Sequence, residues 1–524
     1  MADKARKKEK ENIPLVLAIL DGWGIWKEKK GNAIYQAKTP IIDALYDKYP
    51  HTFLDASGTD VGLPSDQPGN SEAGHMNIGA GRVIEQDAVT ISKSISNGTF
   101  FKNPAFLQAA SQAEKNKSSI HLMGLLSDGS SPHSHDDHLL SLISFFIAKT
   151  KRPIYLHLFT DGRDSPQFAA LKIISQYNTI FNSPRVKIAT MMGRFYAMDR
   201  KKAWDRTQAA YEALVLGKSH RVEDAVEAVN QAYNRGESDE FILPTVIVDK
   251  GKPVGSIVDD DVLVFFNLRS DRARQLTKAF VQADFENRNG GCFSRAKILK
   301  NILFVALTDF GPDLEGVLSA YPGIDISDTL TFALKDYRQL YIAETEKFAH
   351  VTYFFNGGYD HSVAGEERVN IPSKDVMSYD EAPEMSTKEM TDYVVKELKK
   401  DSFDFICLNF ASPDMVGHTG NLKAAIKAVE LVDQSVARII KEMLSKKGIL
   451  LVTADHGNVE EMINLKTGEV DTEHSINPVP FIIVSKNNFK LAKKGKLANI
   501  APTILDILGA DKPALMKSKS LIIK

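Results

Sequence analysis

A serine between glycines is the first residue whose type and setting suggest chemistry. Ser71 lies between Gly69 and Gly74 in SDQPGNSEAGHMNIGAG, which is too polar and too rich in glycine to be core. A serine hydroxyl is a poor nucleophile unless a base removes its proton or a metal lowers its pKa. The nucleophile elbow G-x-S-x-G does not fit, because the second glycine comes one residue late. The alternative is a helix N-cap, in which Asn70 or Ser71 caps an EAGHMNI helix.

Carboxylates and imidazoles that follow apolar runs suggest an activator for this serine. Singly, an Asp in a turn is usually a cap, but several such groups after successive strands predict a metal site. The absence of thiolates suits Mn²⁺, with Zn²⁺, Co²⁺ or Mg²⁺ as rivals. The ligands suffice for two ions, as in many phosphatases and nucleases. The groups are Asp21, Asp414, His418, Asp455, His456 and His474.

Arginines follow the apolar runs in the middle of the chain. Guanidinium groups bind carboxylate and phosphate through paired hydrogen bonds, so this set indicates an acidic substrate. The alternative is a set of structural Arg–Asp pairs, which the adjacent Asp199 and Asp271 favour. The histidines of SSPHSHDDH could form a metal-binding tract, or one of them could donate a hydrogen bond to the substrate, and the two interpretations are equally possible. The arginines are Arg163, Arg194, Arg200, Arg269 and Arg272.

The elements that must position these groups are short apolar runs separated by helical segments. Strands buried on both faces, and hence parallel α/β sheets, are predicted by IPLVLAIL, PIYLHLF, VKIATMM, VLVFFNL, FDFICLNF, GILLVT and VPFIIV. A helix is predicted by KAAIKAVELVDQSVARIIKEML, and a buried helix by LLSLISFFIA from Leu139. Ligands of open α/β sheets bind beyond the carboxyl ends of the strands, which is where the chemical residues lie.

The distribution of these residues predicts two domains. The carboxylate and histidine groups fall at the two ends of the sequence, whereas the arginines concentrate in the middle. A domain interrupted by an insertion explains this pattern, with residues 1–85 and 319–524 in one domain and residues 86–318 in the other. A length of 524 residues also favours more than one core.

Composition restricts the partners. The formal net charge of −2 gives no sign of a nucleic-acid or membrane partner. Cys292 and Cys407 are far apart and indicate neither a disulfide framework nor a zinc knuckle. The N-terminal MADKARKKEKEN has no apolar signal region, and we expect it to be a solvated tail. We therefore expect a cytoplasmic protein that binds neither nucleic acid nor membrane, and we further expect a monomer that acts on a small molecule.

Six ordered motifs together resemble those of the cofactor-independent phosphoglycerate mutases of the alkaline phosphatase superfamily: GNSEAGHMNIGAGR, HLFTDGRD, GRFYAMDR, AETEKFAHVTYFFNGG, SPDMVGHTG and TADHGN. The resemblance spans nearly the whole chain. It implies interconversion of 3-phosphoglycerate and 2-phosphoglycerate in glycolysis through a phosphoserine, without 2,3-bisphosphoglycerate. It also implies two divalent ions, most often Mn²⁺, with Mg²⁺ or Co²⁺ in some members. The implied fold is an alkaline-phosphatase-like domain interrupted by a substrate-binding domain.

The same resemblance implies a role for each matching residue. Ser71 would be the phosphorylated nucleophile, Lys347 would contact the transferring phosphoryl group, and Asp164 would shuttle the proton of the substrate hydroxyl. One metal would be held by Asp414, His418 and His474, and the other by Asp21, Ser71, Asp455 and His456. The glycerate and its phosphate would be bound by His133, Arg163, Asp164, Arg194, Arg200, Arg269 and Arg272.

Three loops differ from the usual pattern of the family. SDGSSPHSH has an extra residue relative to SDGGVHSH, so the choice of His133 over His135 stays open. TDGRDSPQF and NLRSDRA also depart from it, but both keep their arginines. A metal-dependent phosphatase or sulfatase, a phosphopentomutase and a binding protein with a decayed site are the rivals. The run of arginines favours the mutase, because it suits an acidic substrate that must be retained while the phosphoryl group moves.

Overall fold

All seven apolar runs form strands, and most of their side chains are buried. LVLAIL, for example, is buried along its whole length. The structure is a computed structural model that describes residues 13–129, 131–181, 183–311, 313–323 and 326–523, so the expected N-terminal tail lies outside the described residues. The strands are β1 (Leu15–Leu20), β2 (His51–Asp55), β3 (Ile120–Leu126), β4 (Ile154–Thr160), β5 (Val186–Gly193), β6 (His220–Val222), β7 (Thr245–Asp249), β8 (Lys252–Pro253), β9 (Val262–Phe265), β10 (Leu303–Thr308), β11 (Val317–Tyr321), β12 (Gln339–Glu344), β13 (Glu367–Ile371), β14 (Phe405–Phe410), β15 (Ile449–Thr453), β16 (Val479–Val484) and β17 (Lys494–Lys496).

Helices connect most of the strands, and both predicted helices form. LLSLISFFIA lies in Asp136–Lys149, and the longer segment forms Leu422–Ser445. None of the helices in the described part of the chain is both long and apolar enough to cross a bilayer. The helices are α1 (Ala33–Gln36), α2 (Pro40–Lys48), α3 (Ser71–Ala80), α4 (Asp87–Ser96), α5 (Pro104–Asn116), α6 (Asp136–Lys149), α7 (Ala170–Phe181), α8 (Arg194–Ala197), α9 (Trp204–Leu216), α10 (Ala225–Asn234), α11 (Arg274–Val281), α12 (Phe285–Arg288), α13 (Leu330–Ala333), α14 (Thr387–Lys399), α15 (Ser412–Gly417), α16 (Leu422–Ser445) and α17 (Ile500–Leu508).

The chain divides into two compact units, of which the first comprises Met1–Gln86 and Asp325–Lys524. Its eight-stranded sheet has the order β13-β12-β14-β1-β15-β16-β2-β17. The central strand β1 pairs in parallel with β14 on one side and with β15 on the other. The carboxyl ends of these three strands therefore lie side by side, and the residues that follow them can form one site.

One strand of this sheet differs from the sequence prediction. VPFIIV forms β16, but β16 runs antiparallel to both β15 and β2. A parallel return requires a crossover connection, usually a helix, and residues 454–478 between β15 and β16 contain none. The prediction of a parallel strand is therefore wrong for this run. The predicted α/β class, with mainly parallel sheets flanked by helices, is confirmed.

The second unit, Asp87–Ile324, contains its own sheet. The strand order is β11-β10-β9-β3-β4-β5-β7-β6, with β8 paired to β7. The neighbours from β11 to β5 are parallel, whereas β7 runs antiparallel to β5. Successive residues of β3, such as Leu122 and Met123, lie in different apolar clusters, as expected for a sheet covered on both faces. Strand β11 continues past residue 318, the expected end of the inserted segment.

Candidate active site

Ser71 is the first residue of α3, and Asn70 is its cap. The Asn70 side chain accepts a hydrogen bond from a backbone N–H of the first turn at 2.9 Å. Asn70 is therefore the cap of the helix, and Ser71 remains the candidate nucleophile. The buried Ser71 Oγ lies close to three polar atoms: His456 Nε2 at 2.9 Å, Lys347 Nζ at 2.8 Å and Asp21 Oδ1 at 3.3 Å.

The glycines beside Ser71 allow α3 to approach other backbone closely. A Cβ on Gly74 would come 2.7 Å from the carbonyl oxygen of Asp455. A Cβ on Gly69 would come 2.1 Å from the carbonyl oxygen of Ala56. Such distances are shorter than any real contact of a Cβ atom, so glycine is required at both positions. The glycine-rich sequence thus places the serine against the end of β15.

The structure brings all seven predicted metal ligands together. Asp21 follows β1, Asp414 lies in α15 after β14, and Asp455 with His456 follows β15. Nε2 of His474 lies 3.3 Å from Asp414 Oδ1. The ligand atoms of three sets lie within 4.8 Å of one another: Asp414, His418 and His474; Asp21, Asp414 and His456; and Asp21, His75 and Asp455.

Lys347, in the turn after β12, lies at the centre of these carboxylates. Its Nζ donates to Asp21 Oδ1 at 2.8 Å, to Asp414 Oδ2 at 2.6 Å and to Ser71 Oγ at 2.8 Å. Burial lowers the pKa of Lys347, but the charges of the two carboxylates outweigh it and raise the pKa above its usual value. Burial raises the pKa of Asp21, but the charge of Lys347 and a hydrogen bond with His456 hold that pKa well below its usual range.

The three histidines of the cluster differ in their affinity for a proton. Burial lowers the pKa of His456, but the charge of Asp455 and a hydrogen bond to Asp21 raise it to about 9. The hydrogen bond of His418 to Asp414 likewise outweighs burial and raises its pKa. Burial and the charge of His456 lower the pKa of His474. A cation that binds through His456 must therefore displace a proton at neutral pH.

Two neighbours of this cluster, His75 and Asn409, were not identified from the sequence. The Asn409 amide donates to Asp21 Oδ2 at 2.6 Å and lies 3.0 Å from His75 Nε2. His75 Nδ1 lies 2.9 Å from the carbonyl oxygen of Ser71 and 3.3 Å from Asp455 Oδ2. His75 follows Ser71 by four residues, and in a helix this spacing places both side chains on the same face. Asn409 has no such signal, because it lies inside an apolar strand.

Asn458 and Glu460 were also missed, and both hold the loops of the site. The Asn458 amide donates to Asp414 Oδ1 at 2.9 Å. Glu460 Oε2 accepts the backbone N–H groups of Gly24 and Asn458, each at 2.9 Å. Asn458 is the last residue of the motif TADHGN, two residues after His456, and its place in this motif could have identified it as a site residue.

The donor set of the cluster fits a divalent cation. Carboxylate oxygens and imidazole nitrogens without thiolate are the ligands that borderline and hard divalent metals take. Asp455 Oδ2 is buried and accepts no hydrogen bond, although His75 and His456 lie within 3.6 Å of it. A buried carboxylate oxygen of this kind requires a cationic or donor partner.

The second unit holds a separate cluster at the ends of β4 and β5. Arg194, 3% exposed, directs Nη1 to Asp161 Oδ1 and Asp164 Oδ2, at 2.5 Å each. Burial raises the pKa of Asp164, but the hydrogen bond from Arg194 brings it below its usual value. Burial and the charge of Arg194 lower the pKa of His133 to about 4. Nδ1 of the buried His133 has no hydrogen-bond partner among the described residues.

The other arginines lie around this cluster. The pKa of Arg272 is lowered by burial and then by the charges of its neighbours Arg200, Arg194 and Arg163. The charge of Arg269 helps to lower the pKa of His133. Arg194 and Arg200 both pair with carboxylates, as the structural alternative predicted. The half-exposed Arg163 and Arg200 can reorient toward an anion.

The alternative His135 already has a local role, because it caps α6. Its Nδ1 lies 3.3 Å from the backbone nitrogen of Asp137 and 3.2 Å from Asp136 Oδ1. His133, whose side chain is buried close to Arg194 and Asp271, is the better candidate for contact with substrate.

Comparison with known proteins gives the family. A sequence model of the Metalloenzyme superfamily matches residues 13–512. The 2,3-bisphosphoglycerate-independent phosphoglycerate mutase of Clostridium botulinum is 47% identical over 512 residues, which are 97% of this chain and 99% of that protein. The 2,3-bisphosphoglycerate-independent phosphoglycerate mutase 2 of Methanosarcina barkeri is 47% identical over 526 residues, 98% of this chain and 99% of that protein. The chain belongs to the 2,3-bisphosphoglycerate-independent phosphoglycerate mutase family.

A solved structure agrees with this membership. A crystal structure of Leishmania mexicana phosphoglycerate mutase, obtained at low cobalt concentration, matches with a TM-score of 0.76 and 30% identity over 98% of each chain. The chain is therefore an enzyme of the phosphoglycerate mutase family, and its family and its clustered ligands make it a metalloenzyme.

Metal binding should strengthen as the pH rises. Below its pKa of about 9, His456 carries a proton that a cation must displace, so we expect the affinity for Mn²⁺ to increase about tenfold per pH unit between pH 7 and 9 and then to level off. Isothermal titration calorimetry in buffers of different ionisation enthalpy measures both affinity and proton release. His456→Gln should flatten the slope, whereas His51→Gln, at an exposed position, should keep it. A pH-independent affinity would contradict this assignment.

Replacing Lys347 should make the fold depend on metal. Lys347→Met leaves the buried Asp21 and Asp414 without their ammonium partner, at a cost of about 3–5 kcal/mol. We expect the Tm of the metal-free variant to fall, and added Mn²⁺ to raise it by more than in the unmodified protein. Lys335→Met, at an exposed position, is the control. Equal metal-induced shifts in the variant and the unmodified protein would show that Lys347 does not balance these charges.

Proposed function

We propose that this chain interconverts 3-phosphoglycerate and 2-phosphoglycerate in glycolysis, through a phosphoserine at Ser71 and without 2,3-bisphosphoglycerate. The observation that carries the proposal is the contact of Ser71 Oγ with both Lys347 Nζ and His456 Nε2 within the cluster of predicted metal ligands. Membership of the mutase family supports it. The direct test is conversion of 3-phosphoglycerate with added Mn²⁺ and no bisphosphoglycerate.

The residues of the cluster are sufficient to hold two divalent cations, for which we propose Mn²⁺, with Mg²⁺ or Co²⁺ as alternatives. When bound, the cations supply positive charge that lowers the pKa of the serine hydroxyl and stabilises the transferring phosphoryl group. Asp414, His418 and His474 would hold one of them, and Asp21, Ser71, Asp455 and His456 the other. The proximity of the ligand atoms of Asp414, His418 and His474 supports the first set, and Asp21 lies close to His456 in one group and to Asp455 in another.

The surroundings of Ser71 suit a phosphorylated side chain. Lys347 Nζ, 2.8 Å from Ser71 Oγ, can donate to an oxygen of the phosphoryl group while that group moves. Ser71 also begins the ten-residue helix α3, whose amino-terminal N–H groups and dipole favour an anion. His75 and Asn409, which connect Ser71, Asp21 and Asp455, keep these groups in place.

The cluster of the second unit supplies the groups for an acidic substrate. Asp164, ionised at neutral pH because its pKa lies below the usual value, would accept the proton of the attacking hydroxyl of the glycerate, and in its protonated form it would donate that proton to the departing oxygen. Arg194 and the hydroxyl of Ser131 fix that carboxylate in place. The carboxylate and phosphate of the substrate would be bound by His133, Arg163, Arg194, Arg200, Arg269 and Arg272.

The division of the chain follows from these roles. We propose that residues 1–85 and 319–524 form the phosphatase-like domain that binds metal, and that residues 86–318 form an inserted domain that binds substrate. The two sheets, each with its own set of chemical residues, support a division into two such parts, although β11 (Val317–Tyr321) lies wholly in the second unit. We further propose that the enzyme is a monomer of the cytoplasm that does not bind nucleic acid.

Removing the nucleophile should abolish all transfer. Ser71→Ala deletes the only hydroxyl that contacts both Lys347 and Asp21 among the described side chains, so mutase activity and hydrolysis of a simple phosphate ester should both disappear. The fold should persist, as circular dichroism would show. Ser57→Ala, at a half-buried serine whose hydroxyl donates to the carbonyl oxygen of Ile476, is the control. Isomerisation of 3-phosphoglycerate by the Ser71→Ala variant would refute the phosphoserine route.

Removing two arginines should separate substrate positioning from chemistry. Arg269→Ala with Arg272→Ala removes charge-assisted contacts that contribute roughly 3–6 kcal/mol, so mutase activity should fall about 10²- to 10⁴-fold. Slow hydrolysis of p-nitrophenyl phosphate should survive, because Ser71 and the metal ligands are intact. Arg288→Ala, a half-exposed arginine with a single 3.9 Å ion pair, is the control. Near-normal mutase rates in the double variant would remove these arginines from the substrate site.

A further inference from the structure

A row of buried polar side chains crosses four neighbouring strands of the second sheet, and the proposed function does not use it. Asp261 precedes β9, His121 lies in β3, His157 in β4 and Thr190 in β5. The contacts are 3.0 Å from Asp261 Oδ2 to His121 Nε2, 2.9 Å from His121 Nδ1 to His157 Nε2, and 2.9 Å from His157 Nδ1 to Thr190 Oγ1. Each of the four side chains is at most 2% exposed.

The polar atoms of these four side chains find hydrogen-bond partners within the row or in the neighbouring backbone. Asp261 also accepts the backbone N–H groups of Ser119 and Val258, each at 2.8 Å, so its two oxygens are fixed. Burial holds the pKa of His157 well below its usual value, so this ring is neutral and has one donor and one acceptor nitrogen. Both nitrogens of His157 are used, one toward His121 and one toward Thr190. A network this deeply buried is rigid because a broken bond would leave a polar atom without a partner.

The contact between His157 and Thr190 lies at an irregularity of the sheet. In the pairing of β4 with β5, Leu156 lies opposite Ile188, but His157 lies opposite Thr190. Ala189 is therefore an extra residue, a β-bulge in β5. His157 and Thr190 form the first pair beyond the bulge, and the new register then continues without interruption to the ends of both strands.

The register beyond the bulge decides where Arg194 lies. Thr160, the last residue of β4, lies opposite Gly193, the last residue of β5. Asp161 follows the first and Arg194 follows the second, and the guanidinium contacts Asp161 and Asp164 at 2.5 Å. Without the extra residue, the end of β5 would shift by about 3.3 Å and its side chains would change faces. The contacts of Arg194 with both carboxylates therefore depend on the bulge.

We propose that His157 and Thr190 are positioning residues for the substrate site. Their hydrogen bond holds the bulge of β5 and thereby orients Arg194 against Asp161 and Asp164. His121 and Asp261 hold the ring of His157 from the opposite side. The inference deepens the proposed function and rests on it, because Arg194 and Asp164 act on the phosphoglycerate only if that function is correct.

Two pairs of variants test this role. Thr190→Val removes the hydroxyl and keeps the shape, whereas Thr190→Ser keeps a hydroxyl. His157→Gln keeps a group near Nε2, toward His121, whereas His157→Asn keeps one near Nδ1, toward Thr190. Thr52→Val is the matched control, because the Thr52 hydroxyl is buried in a strand without a hydrogen-bond partner among the described residues.

We expect Thr190→Val and His157→Gln each to raise the KM for 3-phosphoglycerate about tenfold and also to lower kcat, because Arg194 holds Asp164, whereas the affinity for Mn²⁺ should stay within twofold of the unmodified enzyme. Thr190→Ser and His157→Asn should restore most of the KM, and Thr52→Val should not change it. The double variant Thr190→Val, His157→Gln should be no worse than either single variant, because both remove the same bond. Hydrogen exchange of the amides of residues 189–197 should be faster in Thr190→Val.

Several results would overturn the proposal. An unchanged KM in Thr190→Val and His157→Gln would do so, as would a loss of kcat without a rise in KM that Thr190→Ser fails to restore. If the unmodified enzyme does not convert 3-phosphoglycerate, the proposed function fails by itself. Hydrogen exchange then still decides whether this bond holds the bulge, and unchanged exchange at residues 189–197 would show that it does not.

Discussion

Three buried carboxylates, Asp21, Asp414 and Asp455, lie at the adjoining ends of three parallel strands, and their charge must be balanced by cations. An ionised carboxylate removed from water is costly unless it is paired. In this structure the ammonium of Lys347 and the imidazole of His456 supply that balance. The same concentration of negative charge that demands these partners also creates the place where divalent cations would bind, so the stability of the first unit and its chemistry have one origin.

The charges of the two clusters are balanced in opposite ways. In the first unit, carboxylates predominate and cations are recruited to them. In the second unit, arginines predominate and Asp161, Asp164 and Asp271 partly neutralise them. Acids beside the arginines keep the guanidinium groups oriented and prevent excessive mutual repulsion, while the half-exposed Arg163 and Arg200 stay available to an anion. The first cluster is thus suited to cations and the second to anions.

The sequence predicted where strands form better than whether they run parallel or antiparallel to their neighbours. Apolar runs identify buried strands because burial on both faces leaves no polar alternation, and all seven runs formed strands. The same composition does not report direction, so the antiparallel β16 was missed. Ser71 was accessible because it stands among glycines in polar sequence, and most of the metal-ligand motifs were accessible because they follow strands. Asn409 was not, because it lies within an apolar strand, and its role follows only from its contact with Asp21. The extra residue Ala189 was equally inaccessible, since register is a property of two strands together.

The pairing of β1 has a consequence for synthesis of the chain on the ribosome. Its parallel partners β14 and β15 are encoded almost four hundred residues later, as the separation of 388 positions between Asp21 and Asn409 shows. At elongation rates of about 5–20 residues per second, β1 leaves the ribosome roughly 20–80 s before either neighbour exists. During that interval an apolar strand with two unpaired edges is exposed, while the whole second sheet is made and can fold. The beginning of the nascent chain is therefore open to aggregation for longer than its middle.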